Sequence, residues 1–259
     1  MSTILFHEIV YGPVHSRRMG SSLGVNLLPY DGKLCSFDCI YCECGFNKDF
    51  RTKTKLPDRE NVRAAMEDKL QSLQKEGTKL DVITFAGNGE PTMHPEFAGI
   101  IDDTISLRNT YYTEAKINVL SNGMHVGKPS VFDALKKIDN PILKLDSAFD
   151  ESVRLIDRPN SPDYTVAKQV ELYKRFHGNF VLQTMFLRGK FEGKRIDNTT
   201  EKEVSAWLEL VRALNPREVM IYTIDRETPA KRLEKVSIER LREIADRVGE
   251  LGIKTNVAG

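Results

Sequence analysis

The sequence predicts an α/β fold built on a mainly parallel sheet, and three observations carry that prediction. Short apolar runs of the buried-strand type alternate with segments whose apolar residues recur at helical spacing, the pattern of βαβ units. Polar and glycine-bearing residues fall just after successive predicted strands, the edge where parallel α/β folds bind ligands. No linker rich in Gly, Ser or Pro divides the 259 residues, so a single domain over 1–259 with a short N-terminal extension is the simplest organisation.

The first strand is predicted over 23–28, closed by Pro29, Asp31 and Gly32. Val62, Ala65, Met66, Leu70 and Leu73 then mark a helix over 58–75, with Asp58 as its N-cap and Gly77 beyond its end. A strand over 82–86 is broken at once by Gly87-Asn88-Gly89-Glu90-Pro91-Thr92. A helix at 95–108 leads to strand 116–120, which ends in Ser121-Asn122-Gly123. A helix at 130–137 leads to strand 142–145, which ends in Asp146-Ser147. The rhythm continues through helix 163–176, strand 180–187, helix 200–214, strand 218–223, helix 237–251 and a last short strand at 253–257. About six main strands and a terminal one fall short of the eight of a closed barrel. Crossovers of one hand curl such a sheet toward a barrel, but periodicity alone also leaves a doubly wound open sheet in play.

Hydrophobic content of 40% and charged content of 29% are those of a globular chain. A net charge of +1 creates no global field that would recruit nucleic acid, although a local basic patch is compatible with it. No apolar run approaches the roughly 18 residues needed to span a bilayer, so no membrane partner is expected. Residues 1–10 lack the charged and apolar regions of a secretory signal. All 4 cysteines lie between positions 35 and 44, which suits a metal site in a reducing compartment, and a cytoplasmic location is expected.

Those cysteines form Cys35-Ser36-Phe37-Asp38-Cys39-Ile40-Tyr41-Cys42, a CxxxCxxC run with an aromatic residue before its last member. Three thiolates can converge on one soft metal centre. A closed zinc site takes four ligands, so three leave a coordination position open. Cys44 would complete a zinc set, and buried cysteines can also act simply as small hydrophobes. The turn at 87–92 needs its own account. Gly87 and Gly89 let the backbone turn tightly and approach a ligand, Glu90 adds an acceptor, and Pro91 limits motion.

The cysteine spacing resembles that of the radical S-adenosylmethionine (radical SAM) superfamily. Asn88-Gly89-Glu90-Pro91, one βα unit later, is similar to its GGEP motif, with Asn88 in place of the first glycine. The resemblance implies a partial (β/α)6 barrel of the radical SAM type. It implies that Cys35, Cys39 and Cys42 hold three irons of a [4Fe-4S] cluster whose fourth iron is chelated by SAM. It places Tyr41 beside the adenine and Asn88, Gly89, Glu90 and Pro91 at the methionyl ammonium. Ser121, Asn122, Asp146 and Ser147 are candidates for the SAM carboxylate and ribose, chosen on position; Asp146 or Ser121 could equally be a capping residue. The implied activity is reductive cleavage of SAM to methionine and a 5′-deoxyadenosyl radical, which abstracts hydrogen from a substrate. A flavodoxin or ferredoxin would supply the electron. Cys44 fits no position of the pattern.

Further phrases resemble stand-alone radical SAM proteins similar to wyosine tRNA synthases: Ser16-Arg17-Arg18, 22–26, 85–92, Asp157-Arg158-Pro159 and 222–226. Wyosine synthases place extra N-terminal cysteines on a second cluster. Residues 1–34 contain none, which sets the wyosine reaction itself apart, and no cysteine follows Cys44, so one cluster is expected. Arg158, Gln183, Tyr222 and Arg226 are the substrate-side candidates, with a nucleic-acid base or a small metabolite as substrate. His15, Arg17 and Arg18 could hold an anionic group, and the basic run 51–55 offers partners to RNA phosphates. A glycyl-radical activase and a non-catalytic zinc-binding or regulatory module are the alternatives.

Overall fold

The computed structural model describes residues 4–16, 20–49 and 52–259. Arg17, Arg18 and Arg51, three of the basic residues singled out above, lie outside them.

In chain order the strands are β1 (Val10–Ser16), β2 (Gly20–Val25), β3 (Val82–Phe85), β4 (Lys116–Ser121), β5 (Asn140–Lys144), β6 (Val181–Met185), β7 (Leu187–Phe191), β8 (Lys194–Asp197), β9 (Glu218–Tyr222), β10 (Leu233–Lys235) and β11 (Lys254–Ala258). The helices are α1 (Arg59–Lys75), α2 (Phe97–Tyr111), α3 (Pro129–Lys137), α4 (Asp150–Ile156), α5 (Val166–Lys174), α6 (Glu201–Leu214) and α7 (Ile238–Gly249). Among the described residues an eight-stranded sheet runs β1-β2-β3-β4-β5-β6-β9-β11. Every pair from β2 to β11 is parallel, and β1 lies antiparallel on the β2 edge. The sheet curls into a half-barrel with helices outside, the partial (β/α)6 barrel.

Side-chain alternation gives the sheet two different faces. The outward set, among them Leu23, Val25, Ile83, Phe85, Ile117, Val119, Leu143, Leu182, Val219 and Ile221, packs against the helices in the main core. Each such side chain stabilises the fold by about 1.5–3 kcal/mol. The inward set is mixed. Ile142, Val181 and Met220, with Leu120 against them, make a separate apolar floor. Above it Ser22 and Thr84 share a hydrogen bond at 2.9 Å, and Lys144 stands on the same face of β5 as Ile142. Side chains cap the helices where the sequence offers them: Asp58 accepts from Asn61 N, Thr165 from Lys168 N, Thr200 from Glu203 N and Ser237 from Arg240 N.

Several boundaries differ from the prediction. The first parallel strand ends at Val25, because Asn26 turns its carboxamide onto Leu28 and Asn88 and opens the loop early. Ahead of it, β1 pairs antiparallel with β2 as a hairpin, which the alternation of strands and helices does not announce. The run 180–187 divides at Phe186: Asn198 Oδ1 accepts from Leu187 N at 2.8 Å and draws the chain out of the main sheet. The released segment forms a three-stranded antiparallel sheet, β10-β7-β8. The expected helix over 163–176 is shorter, and α4 precedes it. Among the described residues no helix is long and apolar enough to cross a membrane.

Candidate active site

The loop that leaves β2 carries all the cysteines, and backbone bonds hold it on both sides. On one side Leu34 pairs with the turn after β3: Leu34 N donates to Asn88 O at 2.9 Å and Glu90 N donates to Leu34 O at 3.2 Å. On the other side it meets the end of α4. Asp38 N donates to Asp157 O at 3.0 Å, Ile40 N to Ile156 O at 2.9 Å, and Asn160 N to Ser36 O at 2.9 Å. Gly89 makes the first contact possible. Its φ is +139°, and a Cβ there would lie 1.9 Å from Leu34 O, so only glycine fits. The cysteine motif and the Gly-Glu-Pro motif thus pack as one unit.

Cys39 and Cys44 are buried, and Cys35 and Cys42 are partly so. Cys35 Sγ accepts from Phe37 N at 3.4 Å and from Asn122 Nδ2 at 3.6 Å. Cys39 Sγ donates to Asp157 Oδ1 at 3.4 Å, and Cys44 Sγ to Gly87 O at 3.5 Å. Burial, with Glu90 next, pushes the Cys35 thiol up to about 12. Burial and Asp157 push Cys39 up as well. A hydrogen bond from Cys44 pulls Cys42 down to about 6, and Cys44 rises in response. Among the described residues no three His, Cys, Asp or Glu side chains gather closely enough to hold a single metal ion. Ligands of one tetrahedral zinc, each about 2.3 Å from it, must crowd together, whereas ligands of a cuboidal cluster sit on different irons. Three thiols on one loop, with Cys39 buried and Cys35 and Cys42 partly so, fit the ligand set of such a cluster.

Beside Cys39 lies a polar knot that sequence reasoning found only in part. The Tyr41 hydroxyl donates to Asp146 Oδ2 and, at 3.3 Å, to Asp157 Oδ1, while Lys144 Nζ donates to the Tyr41 hydroxyl. Lys144 also pairs with Asp146 at 3.2 Å and sits 4.8 Å from the Tyr41 ring centroid. Asp146 Oδ1 accepts from Met185 N at 2.9 Å. Burial, then Asp146, pushes the Asp157 carboxyl well above the usual range. Lys144 and Asp157 were missed as site residues. The available signal was a lysine inside the otherwise apolar strand Ile142-Leu143-Lys144-Leu145, since a charge at an inward position near a strand's C-terminal end needs a partner.

The other predicted residues divide. Glu90 is buried and accepts from Thr92 N, Thr92 Oγ1, Ser121 Oγ and Asn122 N, all at 2.6–3.1 Å, so it ties the β3 turn to the end of β4. Pro91 begins the short 3-10 turn Pro91–Met93. Asn122 also reaches Ser36 Oγ at 2.9 Å. The Asn88 side chain points away from the cysteines toward Phe6 and Pro29. Ser147 likewise turns outward and donates to Glu203 Oε2 at 2.6 Å.

A cavity of about 520 Å³ opens next to the knot, lined by Tyr41, Met185, Tyr222, Thr84, Glu43 and Arg226 among others. Arg226 Nη1 pairs with Glu43 Oε2 at 2.7 Å at its rim. Tyr11 closes another side, with its ring over Gly24, where a Cβ would lie 2.1 Å from that ring. His15 also lines this cavity. Gln183 is buried on the inner face of β6 below Met185 and is not part of the wall. Arg158 is not brought there either. Its guanidinium stacks on Phe46 and Phe191, 5.6 and 5.0 Å from their centroids, outside the cysteine loop. A larger groove of about 1060 Å³ between α5 and α6 is lined mainly by apolar side chains and lies away from the thiols.

The family model of the Radical SAM superfamily matches residues 31–197. A UPF0026 protein of Helicobacter pylori (strain ATCC 700392 / 26695) is 31% identical over 227 residues, which cover 86% of this chain and 68% of that protein. The chain spans between 32% and 78% of the lengths of the curated relatives it matches. A radical SAM methyltransferase from Sphaerobacter thermophilus superposes with a TM-score of 0.67 at 18% identity, over 92% of this chain and 65% of that one. TYW1 with a lysine-pyruvate adduct bound gives 0.60 at 15% identity, over 90% and 74%. At such identities the likeness is one of fold. Together with the 31% identical relative, the family match displaces the zinc-module reading: the chain belongs to the Radical SAM superfamily, enzymes that work with a [4Fe-4S] cluster and S-adenosyl-L-methionine.

Proposed function

We propose that Cys35, Cys39 and Cys42 hold the [4Fe-4S] cluster, that SAM binds between the cysteine loop and the ends of β3 to β5, and that substrate enters the cavity beside Tyr41. The observation that carries this reading is the backbone bridge from Leu34 to Gly89, which makes the three-cysteine loop and the Gly-Glu-Pro turn one surface. When bound, the cluster and SAM supply one-electron cleavage of the sulfonium to methionine and a 5′-deoxyadenosyl radical that takes a hydrogen atom from the substrate.

The chain's own residues do the rest. Gly89 and Pro91 present backbone to the methionyl ammonium, while Glu90 holds that turn against Ser121 and Asn122. Asp146, held by Lys144 and Met185 N, and Tyr41 shape the side facing the nucleoside. Asn88 and Ser147 serve through backbone and packing, since their side chains are engaged elsewhere. Tyr222 and Arg226 form the substrate side of a cavity large enough for a nucleobase or a small metabolite. The Glu43–Arg226 pair stands at its rim. A low-potential flavodoxin or ferredoxin would deliver the electron.

The test is anaerobic: reconstitute the chain with iron and sulfide, add SAM and a strong reductant, and quantify 5′-deoxyadenosine beside a Cys39→Ala control. Product from the wild type alone supports the assignment. Equal traces from both proteins would sink it.

A further inference from the structure

We infer that Lys33 is a counter-charge built for the cluster, a positioning residue that acts on it through the ligand loop and raises its affinity for an electron. This rests on the assignment of Cys35, Cys39 and Cys42 as ligands. Lys33 opens the cysteine loop, and its side chain is only 1% exposed. The ammonium donates to Gly45 O at 3.0 Å and reaches Asp38 Oδ1 at 3.4 Å. That same Oδ1 already accepts from Asn47 N at 2.7 Å. One long, shared ion pair is poor compensation for an ammonium taken out of water.

The loop places the ammonium among the ligands. Asp38 directly precedes Cys39, and Gly45 N donates to Cys42 O at 2.9 Å. The two groups that hold Lys33 Nζ therefore belong to the same turn of chain that carries the proposed ligands. Thiols that bind metal lose their protons, so a loaded loop carries three thiolate charges, and reduction of the cluster adds one more. A fixed cation in a water-poor site favours the more negative state, and net charge is one of the determinants of a cluster's potential. The competing explanation is a neutral brace, in which Lys33 merely ties Gly45 to Asp38 and folds the loop back on itself.

The two differ in what they do to the potential. The full chain would be reconstituted anaerobically as wild type, Lys33→Met, Lys33→Arg and Asp38→Asn, then assayed for iron and sulfide per chain and for midpoint potential by a titration followed with electron paramagnetic resonance. Lys33→Met keeps the stem and loses the charge, so its potential is expected to move negative. Lys33→Arg is expected to stay near wild type. Asp38→Asn removes the competing carboxylate and is expected to move the potential positive, which keeps the test decisive if the Met variant fails to load. Loaded variants with wild-type potentials would overturn the inference and leave a brace. A wild-type chain that binds no iron would instead overturn the cysteine assignment itself, and the inference with it.

Discussion

Asn88 and Phe6 are joined by two hydrogen bonds of 2.8 Å each, Phe6 N donating to Asn88 Oδ1 and Asn88 Nδ2 donating to Phe6 O. The same Nδ2 donates to Pro29 O at 2.8 Å, and Asn26 Oδ1 accepts from Asn88 N at 3.1 Å. The residue that stands where the common motif has glycine therefore clasps the N-terminal segment onto the cysteine loop. Phe6 in turn stacks on Tyr11, with ring centroids 3.9 Å apart, beside the cavity.

Asn88→Gly, which restores the common motif, is expected to lower stability by about 1–3 kcal/mol, since it strands buried backbone groups of Phe6 and Pro29. Limited proteolysis should then cut within residues 4–9 faster than in the wild type, while iron uptake stays close to normal. Unchanged cleavage would show that the clasp does not hold this segment.

Gly89→Ala attacks the opposite contact. The added methyl meets Leu34 O and must adopt a positive φ, a strain of roughly 1–3 kcal/mol before any displacement of the loop. Because the cysteine loop is the part that yields, iron per chain after reconstitution should fall together with the melting temperature. A variant that melts earlier yet loads fully would mean that the bridge matters to folding alone.

Much of this site was legible in the sequence because its parts are local. CxxxCxxC, Gly-Glu-Pro and the polar strand ends announce themselves by spacing, and the parallel order of β2 to β6 follows from strands separated by helices. What stayed hidden depends on contacts between segments far apart in the chain. Asn88 reads as a ligand-facing turn residue until Phe6, 82 positions away, is seen to occupy its amide. Asp157 reads as part of a loop phrase, and only the docking of α4 against the cysteines brings it to Tyr41 and Cys39. The β7–β8 hairpin had a readable signal that went unused: Glu192-Gly193, both with positive φ, is a two-residue turn of the primed type.

Arg59 grips Asp103 with Nε and Nη2 at 2.6 and 2.9 Å, and Arg63 adds a contact at 3.4 Å, which joins α1 to α2. The Arg59 guanidinium, chiefly through its hydrogen bond, holds the Asp103 carboxyl below its ordinary value. A carboxyl depressed in the folded state adds stability above its unfolded pKa and loses it as pH falls through the folded one. The arginines are nearly half exposed, so solvent screening keeps the clamp's contribution small. Denaturation curves of Asp103→Asn should run below those of the wild type near neutral pH and converge with them in acid.

Asp157 has the opposite sign. Its carboxyl is raised by burial and by Asp146, so its contribution to stability is fully present below the unfolded pKa and is lost as pH rises through the folded one. Neutral pH forces a choice on the metal-free chain: either ionise Asp157 beside Asp146, with Lys144 as the shared cation, or take up a proton against the pH. Asp157→Asn removes that choice and keeps the shape of the side chain. The metal-free variant is therefore expected to be more stable than the wild type at pH 7, with a flatter dependence of melting temperature on pH above about 4. Lys144→Met should do the reverse and cost about 3–5 kcal/mol, because it leaves the carboxylates buried without their cation. Since their effects run in opposite directions through one shared contact, the double variant should recover part of that loss. Additive effects would mean that Lys144 answers to Asp146 alone, and that Asp157 is placed for Cys39 and Tyr41.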